Sequence, residues 1–130
     1  MREGYKTIKK KILIVEDEIV QAMFLGKVLE LWGYEICETA TSGEDAIKEA
    51  EIQNPDLVIM DISIHGEISG IEAAGKIRSR VGIPVIFITG YSDEETRQKA
   101  YTARPAGYFV KPLDYNKLEE TLMSIIHQKK

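Results

Sequence analysis

The sequence predicts a three-layer α/β fold in which helices cover both faces of a five-stranded parallel sheet. Five short apolar runs alternate along the chain with amphipathic helical patterns, and such alternation gives right-handed crossovers between parallel strands. Three of these runs are continuously apolar, as strands buried on both faces require. The length of 130 residues suits one domain of this kind.

The apolar runs are the predicted strands. They are KILIV (11–15), YEICET (34–39), DLVIM (56–60), PVIFI (84–88) and GYFV (107–110). The second run alternates apolar and polar residues, so we place it at an edge of the sheet. A flavodoxin-like, doubly wound order of 2-1-3-4-5 fits these features and predicts a site outside the carboxyl ends of strands one and three.

Helices are predicted between the strands from apolar spacing and from capping boxes. The buried face expected for the first helix carries apolar residues three and four apart, namely Val20, Met23, Phe24, Val28, Leu31 and Trp32. The last helix has the same spacing at Leu118, Leu122, Ile125 and Ile126. Capping boxes predict three helix starts, at Thr41 with Glu44, Ser69 with Glu72, and Ser92 with Glu95.

Composition limits the classes of function. Lys and Arg number 17 and Asp and Glu 21, and the resulting charge of −4 argues against broad binding to nucleic acid or anionic membranes. The sequence has no apolar run long enough to span a membrane and no signal-peptide core, so we expect a cytoplasmic protein. We expect a tail over residues 1–10, one domain over residues 11–128, and no output domain after it.

Carboxylates follow two of the strands that the predicted order makes neighbours. Glu16 and Asp17 come after strand one, and Asp61 comes directly after strand three. Carboxylates about 4 Å apart repel by roughly 4 kcal/mol at an effective dielectric near 20, so the cluster needs a cation. Oxygen ligands with no His or Cys at these strand ends favour Mg²⁺.

The next two strand ends add a hydroxyl and an ammonium group. Strand four ends at Thr89 and strand five at Lys111. Together with a divalent ion, these groups can hold the oxygens of a phosphoryl group while a neighbouring carboxylate attacks phosphorus. Asp61 is therefore the predicted nucleophile. Any one of these residues alone would be ordinary, and the coincidence of all of them at one sheet edge favours the functional interpretation.

The sequence resembles a response-regulator receiver domain of two-component signalling. The resemblance extends from about Lys11 to about Gln128, and the motifs that carry it are EDE (16–18), LVIMD (57–61), SGIEAA (69–74), FITG (87–90) and GYFVKP (107–112). It implies that Asp61 accepts phosphate from a histidine kinase or a phosphotransfer protein. It also implies that the aspartate chemistry is a switch and not enzymatic turnover.

The resemblance also implies a role for each residue of the site. Mg²⁺ would be bound by Asp17, Asp61 and the backbone carbonyl of Ser63, with Glu16 acting through a water molecule. Lys111 would bind the phosphoryl group, and Thr89 would move to contact it.

Further roles concern the switch and the lifetime of the phosphoryl group. Tyr108 would swing inward, and a downstream target would bind the face formed by helix four, strand five and helix five. The Lys111–Pro112 bond is expected to be cis. Ser63 and Tyr91 would lie beside the path of the hydrolytic water, so they would set the phosphoryl lifetime.

The loop after Asp61 departs from the family pattern. His65 stands where the family commonly has Pro, and Gly70 lies nine residues after Asp61 instead of eight, so the loop is expected to be one residue longer. We expect His65 to be an ordinary exposed imidazole, with contact to the phosphoryl pocket as the alternative. His127 is expected to complement the dipole of the last helix.

Two other classes of protein use related folds. A haloacid-dehalogenase-like phosphohydrolase also has an aspartyl nucleophile and Mg²⁺, but it expects a second Asp two residues later, where this chain has Ser63. A flavodoxin-like cofactor binder expects a phosphate loop rich in Ser, Thr and Gly after strand one. The EDE sequence found there would repel a phosphate group unless a metal ion intervened.

Overall fold

The structure, a computed structural model, describes residues 9–126. Over these residues the strands are β1 (Lys11–Val15), β2 (Glu35–Ile36), β3 (Leu57–Asp61), β4 (Val85–Thr89) and β5 (Gly107–Val110). The helices that follow each strand are α1 (Ile19–Leu31), α2 (Gly43–Gln53), α3 (Gly70–Val81), α4 (Glu94–Tyr101) and α5 (Tyr115–Ile126). Most of the tail expected over residues 1–10, and His127, lie outside the described residues.

The strands form one parallel sheet in the order β2-β1-β3-β4-β5. This order confirms the predicted fold and places β2 at an edge. β2 is only two residues long, much shorter than the predicted run over residues 34–39. The register pairs Asp61 with Ile88 and Thr89 with Val110, so the carboxyl ends of β3, β4 and β5 lie at the same edge of the sheet.

The sheet is buried on both faces, which explains the continuously apolar strands. In β1, Leu13 and Val15 pack against the side covered by α2 and α3, whereas Ile12 and Ile14 pack against the side covered by α1 and α5. The same alternation runs through β3 and β4. Because successive side chains point to opposite faces of a strand, both faces of these strands need apolar residues.

One of the three predicted N-caps is in place, and the N-caps of the other two helices lie one residue later. The Ser69 hydroxyl accepts a hydrogen bond from the amide of Glu72 at 3.0 Å. The corrected caps are Ser42 instead of Thr41 for α2 and Asp93 instead of Ser92 for α4. Both loops contain two adjacent residues with a capping oxygen, so sequence spacing alone could not decide between them.

The buried face of α1 is not the predicted one. Ala22, Leu25 and Leu29 pack against the sheet. Most of the predicted face is exposed instead, at Val20 (79%), Met23 (62%), Phe24 (58%) and Leu31 (86%), while Val28 and Trp32 are partly buried. Apolar residues form two overlapping stripes along the helix. The stripe that packs on the sheet is the one that contains the small residue Ala22.

Residues 9–126 include no helix that combines the length and the apolar character needed to cross a membrane.

The buried face predicted for α5 is confirmed, since Leu118 and Leu122 are fully buried and Ile125 and Ile126 are partly buried against the same core.

Candidate functional site

Asp61 is a buried carboxylate at the carboxyl end of β3. Only 4% of the residue is exposed. Its Oδ1 accepts a hydrogen bond from the amide of Ser63 at 2.8 Å, and its Oδ2 accepts one from Lys111 Nζ at 2.8 Å. Both oxygens of the carboxylate are therefore held by hydrogen bonds. Asp61 is also the last residue of β3, and not the first residue after it as the sequence had predicted.

Lys111 brings a positive charge to this carboxylate from the end of β5. Its Nζ also donates to Gln21 Oε1 at 2.8 Å and lies 3.5 Å from Glu16 Oε1. Burial alone would lower the pKa of this ammonium group, but the hydrogen bond and charge of Asp61, together with Glu16, raise the pKa above its ordinary value. The peptide bond between Lys111 and Pro112 is cis.

Glu16 is the second buried carboxylate of the site, with 3% exposure. Burial is the main cause that raises the pKa of Glu16 from 4.5 to about 7, and the charge of Asp61 adds to it. The amide of Glu18, which donates to Glu16 Oε2 at 3.1 Å, acts in the opposite direction, as does Lys111. The two carboxylates are thus close enough to interact strongly, with Lys111 bound to both.

Asp17 and His65 lie in the same cavity, whose volume is about 360 Å³ and which is also lined by Asp61 and Ser63. The carboxylate Oδ2 of Asp17 contacts Nδ1 of His65. The His65 side chain is 91% exposed and that of Asp17 is 20% exposed. The imidazole is thus exposed, as the sequence predicted, and it also lies at the mouth of the acidic cavity, which was the less favoured alternative.

Thr89 is the last residue of β4, and Tyr91, two residues later, lines the cavity. Thr89 is fully buried at the end of β4, and its hydroxyl accepts a hydrogen bond from the amide of Tyr91 at 3.0 Å. The backbone carbonyl of Thr89 accepts from the amide of Lys111 at 2.7 Å. Tyr91 lines the cavity and is 56% exposed. These bonds join the ends of β4 and β5 behind the phosphoacceptor candidate.

Tyr108 lies on β5 away from the acidic cavity. Its ring packs on Tyr101 of α4 with centroids 5.8 Å apart, and Arg97 lies over the Tyr101 ring at 5.5 Å. Among the described residues its buried hydroxyl has no hydrogen-bond partner.

Sequence reasoning missed Gln21. This side chain binds Lys111 Nζ at 2.8 Å and also donates to Glu18. The available signal was its position in the first turn of α1, four residues after Asp17. Asp17 itself precedes the helix, which begins at Ile19 close to the carboxyl end of β1, so the signal was that a first-turn side chain of α1 lies near this edge of the sheet.

A second missed feature is the attachment of the loop after Asp61. The amide of Glu67 donates to Glu44 Oε2 at 2.7 Å, and Ser42 pairs with His65 in an isolated parallel bridge. A side chain at Gly70 would place its Cβ 3.0 Å from the carbonyl oxygen of Asp61. The loop is therefore held between α2 and the first residue of α3.

The oxygen atoms of the cavity fit a hard divalent cation. Within residues 9–126, no group of three His, Cys, Asp or Glu side chains is placed so that it could hold a metal ion by itself. Two carboxylates and one backbone carbonyl, from Asp17, Asp61 and Ser63, would leave coordination positions for water and a phosphoryl oxygen, which is the arrangement that Mg²⁺ favours. Burial is the main cause that raises the pKa of Glu16 at this edge, and the charge of Asp61 adds to it.

The family model of the response regulator receiver domain matches residues 12–123. The transcriptional regulatory protein PdtaR of Mycobacterium tuberculosis is 36% identical over 111 residues, which are 85% of this chain and 54% of that protein. The transcriptional regulatory protein ZraR of Salmonella typhimurium is 35% identical over 115 residues, which are 88% of this chain and 26% of that protein. The chain thus spans about half the length of PdtaR and about a quarter of ZraR.

Solved structures have the same fold. The signal receiver domain of a modulated diguanylate cyclase from Desulfovibrio desulfuricans superposes with a TM-score of 0.86 at 34% identity, covering 93% of this chain and 96% of that chain. A CheY-like response regulator receiver domain protein from Methanospirillum hungatei has a TM-score of 0.83 at 27% identity, with the same coverage of 93% and 96%.

Proposed function

Because the chain belongs to the response regulator receiver domain family, we propose that Asp61 accepts a phosphoryl group from a histidine kinase or a phosphotransfer protein in the cytoplasm. The observation that carries the proposal is the buried Asp61 carboxylate, which is held by the Ser63 amide and the Lys111 ammonium group. The phosphoryl group acts as a switch, and the chain performs no further enzymatic reaction.

In the transfer step, a carboxylate oxygen of Asp61 forms a bond to phosphorus. The bond from phosphorus to the imidazole nitrogen of the donor breaks, and its electron pair stays on that nitrogen. The ammonium group of Lys111 lies 2.8 Å from Asp61 Oδ2, so it can follow the negative charge to a phosphoryl oxygen. The Ser63 amide keeps the carboxylate oriented during this step.

Asp17, Asp61 and the carbonyl of Ser63 would bind Mg²⁺ directly, and Glu16 would act through a water molecule. When bound, the ion supplies positive charge that offsets the negative charge of the carboxylates and of the phosphoryl oxygens. Glu16 must be ionised to contribute, and a nearby positive charge favours its ionised form.

The readout begins at Thr89. Its hydroxyl, which accepts a hydrogen bond from the Tyr91 amide, turns to donate one to a phosphoryl oxygen, and this movement frees space behind β4 for the ring of Tyr108. The unpaired hydroxyl of Tyr108 costs about 1–3 kcal/mol, so an orientation in which it finds a partner is favoured. The face of α4, β5 and α5 changes as a result, and a downstream target binds there.

Incubation with acetyl phosphate and Mg²⁺, followed by intact-mass spectrometry, tests the proposal. We expect one added phosphoryl group that is lost in base, as an acyl phosphate would be. Asp61→Asn should abolish the adduct. Asp56→Asn is the matched control, because Asp56 is an exposed aspartate just before the opposite end of β3, and it should behave like the wild type.

The same experiment separates the alternative functions. Rapid release of inorganic phosphate over many turnovers would identify a phosphohydrolase, and the absence of any adduct would support a cofactor-binding domain. An adduct that survives in Asp61→Asn would contradict the assignment of the phosphoacceptor.

A further inference from the structure

The loop between β3 and α3, residues 62–69, is fixed at two points. At its start, the amide of Ile62 donates a hydrogen bond to a carbonyl of β4 at 3.0 Å. Further along, Ser42, the N-cap of α2, pairs with His65 in an isolated parallel bridge. Ser63 lies between these two points, so the direction of its backbone amide depends on where both points are held.

The side chain of Glu44, in the first turn of α2, strengthens the second point. Its Oε2 accepts a hydrogen bond from the amide of Glu67 at 2.7 Å. The amides of Glu44 itself and of Glu67 hold the pKa of this carboxyl group below its ordinary value, and the amide of Ile68 acts in the same direction. A first-turn carboxylate commonly stabilises its own helix. This one also binds the backbone of a segment 23 positions away.

Two glycines allow α2 and the loop to approach each other this closely. Gly66 has a φ of +129°, and a Cβ there would lie 2.6 Å from Glu44 Oε1. A Cβ at Gly43, the first residue of α2, would lie 3.0 Å from the carbonyl oxygen of Ile68. A side chain at either position would force a shift of its neighbours, so the backbone of both segments is adapted to the contact.

The position of the loop matters to the site through Ser63. Its amide donates to Asp61 Oδ1 at 2.8 Å, whereas Asp61 Oδ2 is held by Lys111. The Ser63 amide is therefore one of the two bonds that orient the carboxylate. If the loop moves away from α2, this amide moves with it, and the carboxylate keeps only its bond to Lys111.

We propose that Glu44 is a positioning residue for the phosphoacceptor, because it holds the loop so that the Ser63 amide meets Asp61. The inference rests on the proposed function, since Asp61 is the group that is oriented. It gives α2 an anchoring role and leaves the readout to α4, β5 and α5. Attack on phosphorus is sensitive to a displacement of about 1 Å, so loss of the anchor slows the transfer although Glu44 touches no reacting atom.

Amide hydrogen exchange, measured by NMR on the full chain, tests the anchor without any phosphorylation. Glu44→Met keeps the length of the side chain but lacks the acceptor oxygen, so exchange of the Ser63 amide should become about tenfold faster or more. Glu44→Gln keeps an acceptor oxygen and should restore most of the protection. Asp45→Asn, which changes the other carboxylate in the first turn of α2, is the matched control and should exchange like the wild type.

The amide of Ile59, in the middle of β3, reports on overall stability in the same spectra. It should exchange at the wild-type rate in Glu44→Met. Wild-type exchange of the Ser63 amide in that variant overturns the proposal. Equal acceleration at Ser63 and Ile59 also overturns it, because Glu44 would then stabilise the whole domain and not the loop.

The rate of phosphorylation tests the consequence for the reaction. With acetyl phosphate and saturating Mg²⁺, Glu44→Met should lower the maximal rate of adduct formation on Asp61 by about tenfold. The acetyl phosphate concentration that gives half of this rate should change little, because Lys111 is unaltered. Glu44→Gln should recover most of the rate, and Asp45→Asn should keep all of it. A loss that Asp45→Asn shares in full overturns the proposal.

The same assay separates failure of this inference from failure of the proposed function. If the wild type gains a phosphoryl group on Asp61 and Glu44→Met gains it at the same rate, only the role of Glu44 is wrong. If the wild type gains no adduct, or the adduct survives in Asp61→Asn, the proposed function fails and the role of Glu44 fails with it.

Discussion

Two carboxylates share one ammonium group at the centre of the site, and their environments differ. Both oxygens of Asp61 are hydrogen bonded, one to the Ser63 amide and one to Lys111. Glu16 has a longer contact with Lys111, at 3.5 Å, and burial raises its pKa to about 7. The carboxylate with the shorter contact to Lys111 is the proposed nucleophile, whereas Glu16 is the carboxylate whose ionised form is disfavoured, mainly by burial.

The raised pKa of Glu16 predicts that the metal-free protein loses stability as the pH rises. Below pH 4.5 both the folded and the unfolded states are protonated at this residue. Between pH 4.5 and about 7 the unfolded chain loses the proton first, so the free energy of unfolding falls, and above this range the loss is constant. The full effect corresponds to roughly 3 kcal/mol.

Urea denaturation in the presence of a chelator at pH 5 and pH 8 measures this effect. Glu16→Gln should remove most of the difference in the free energy of unfolding between the two pH values. Glu30→Gln, which changes an exposed glutamate on α1, should retain it. If the free energy of unfolding of Glu16→Gln depends on pH in the same way as that of the wild type, the pKa of Glu16 is the same in the folded and the unfolded states.

Tyr91 is predicted to control the lifetime of the phosphoryl group. Its side chain lines the cavity together with Ser63, where a bulky ring can hinder a water molecule that approaches Asp61. Tyr91→Ala should therefore shorten the half-life of the phosphorylated protein, measured after removal of acetyl phosphate. Tyr91→Phe is the control and should keep the wild-type half-life, since the ring is retained. A half-life that is unchanged or longer in Tyr91→Ala would refute shielding.

At the scale of the element, α1 demonstrates that apolar spacing does not decide which stripe is buried. Leu29 is fully buried and Leu31 is 86% exposed, although the sequence pattern had assigned Leu31 to the core. The exposed stripe includes Phe24, whose ring packs edge-on against Tyr115 of α5 at 6.0 Å. Both stripes are apolar, and only one of them faces the sheet.

Two alanine substitutions on α1 test this packing. Leu29→Ala should lower the free energy of unfolding by about 2–5 kcal/mol, because it leaves a cavity in the core. Leu31→Ala removes the same atoms from an exposed position and should change the value by no more than about 0.5 kcal/mol. Urea denaturation of both variants at one pH compares them directly. Equal losses would mean that the predicted stripe is buried after all.

At the scale of the whole molecule, the order of the strands brings distant segments to one edge. Glu16 and Lys111 are in contact although they are separated by 95 positions, and Asp61 and Lys111 by 50. The same β5 strand carries Tyr108, which packs on α4. A change at the site can therefore reach the outer face through a single strand and the loop before α4.

Chemical-shift mapping with beryllofluoride, a mimic of the phosphoryl group, tests this connection. We expect the changes to extend over residues 89–112, because the proposed switch moves Thr89 and Tyr108 together. The same mapping of Asp61→Asn should give no changes, which controls for non-specific binding. Changes that stop at the acidic cavity, or that are as large in α2, would exclude α4, β5 and α5 as the output face.

Much of this protein could be predicted from the sequence. The strand order and the edge position of β2 were predictable because buried and half-buried strands have different patterns. The location of the site residues at one edge of the sheet was predictable because the carboxyl ends of parallel strands meet there. These residues are Glu16, Asp17, Asp61, Thr89 and Lys111. These rules depend on the order of residues along each element, which the sequence states directly.

Other features were decided only by the tertiary structure. Local patterns could not predict four of these features. They are the buried stripe of α1, the bond between Gln21 and Lys111, the unpaired hydroxyl of Tyr108 and the contact of His65 with Asp17. Each depends on the distance and rotation at which two separate elements pack. The sequence of either element alone does not specify that geometry, because the geometry arises from the fit of side chains across the whole core.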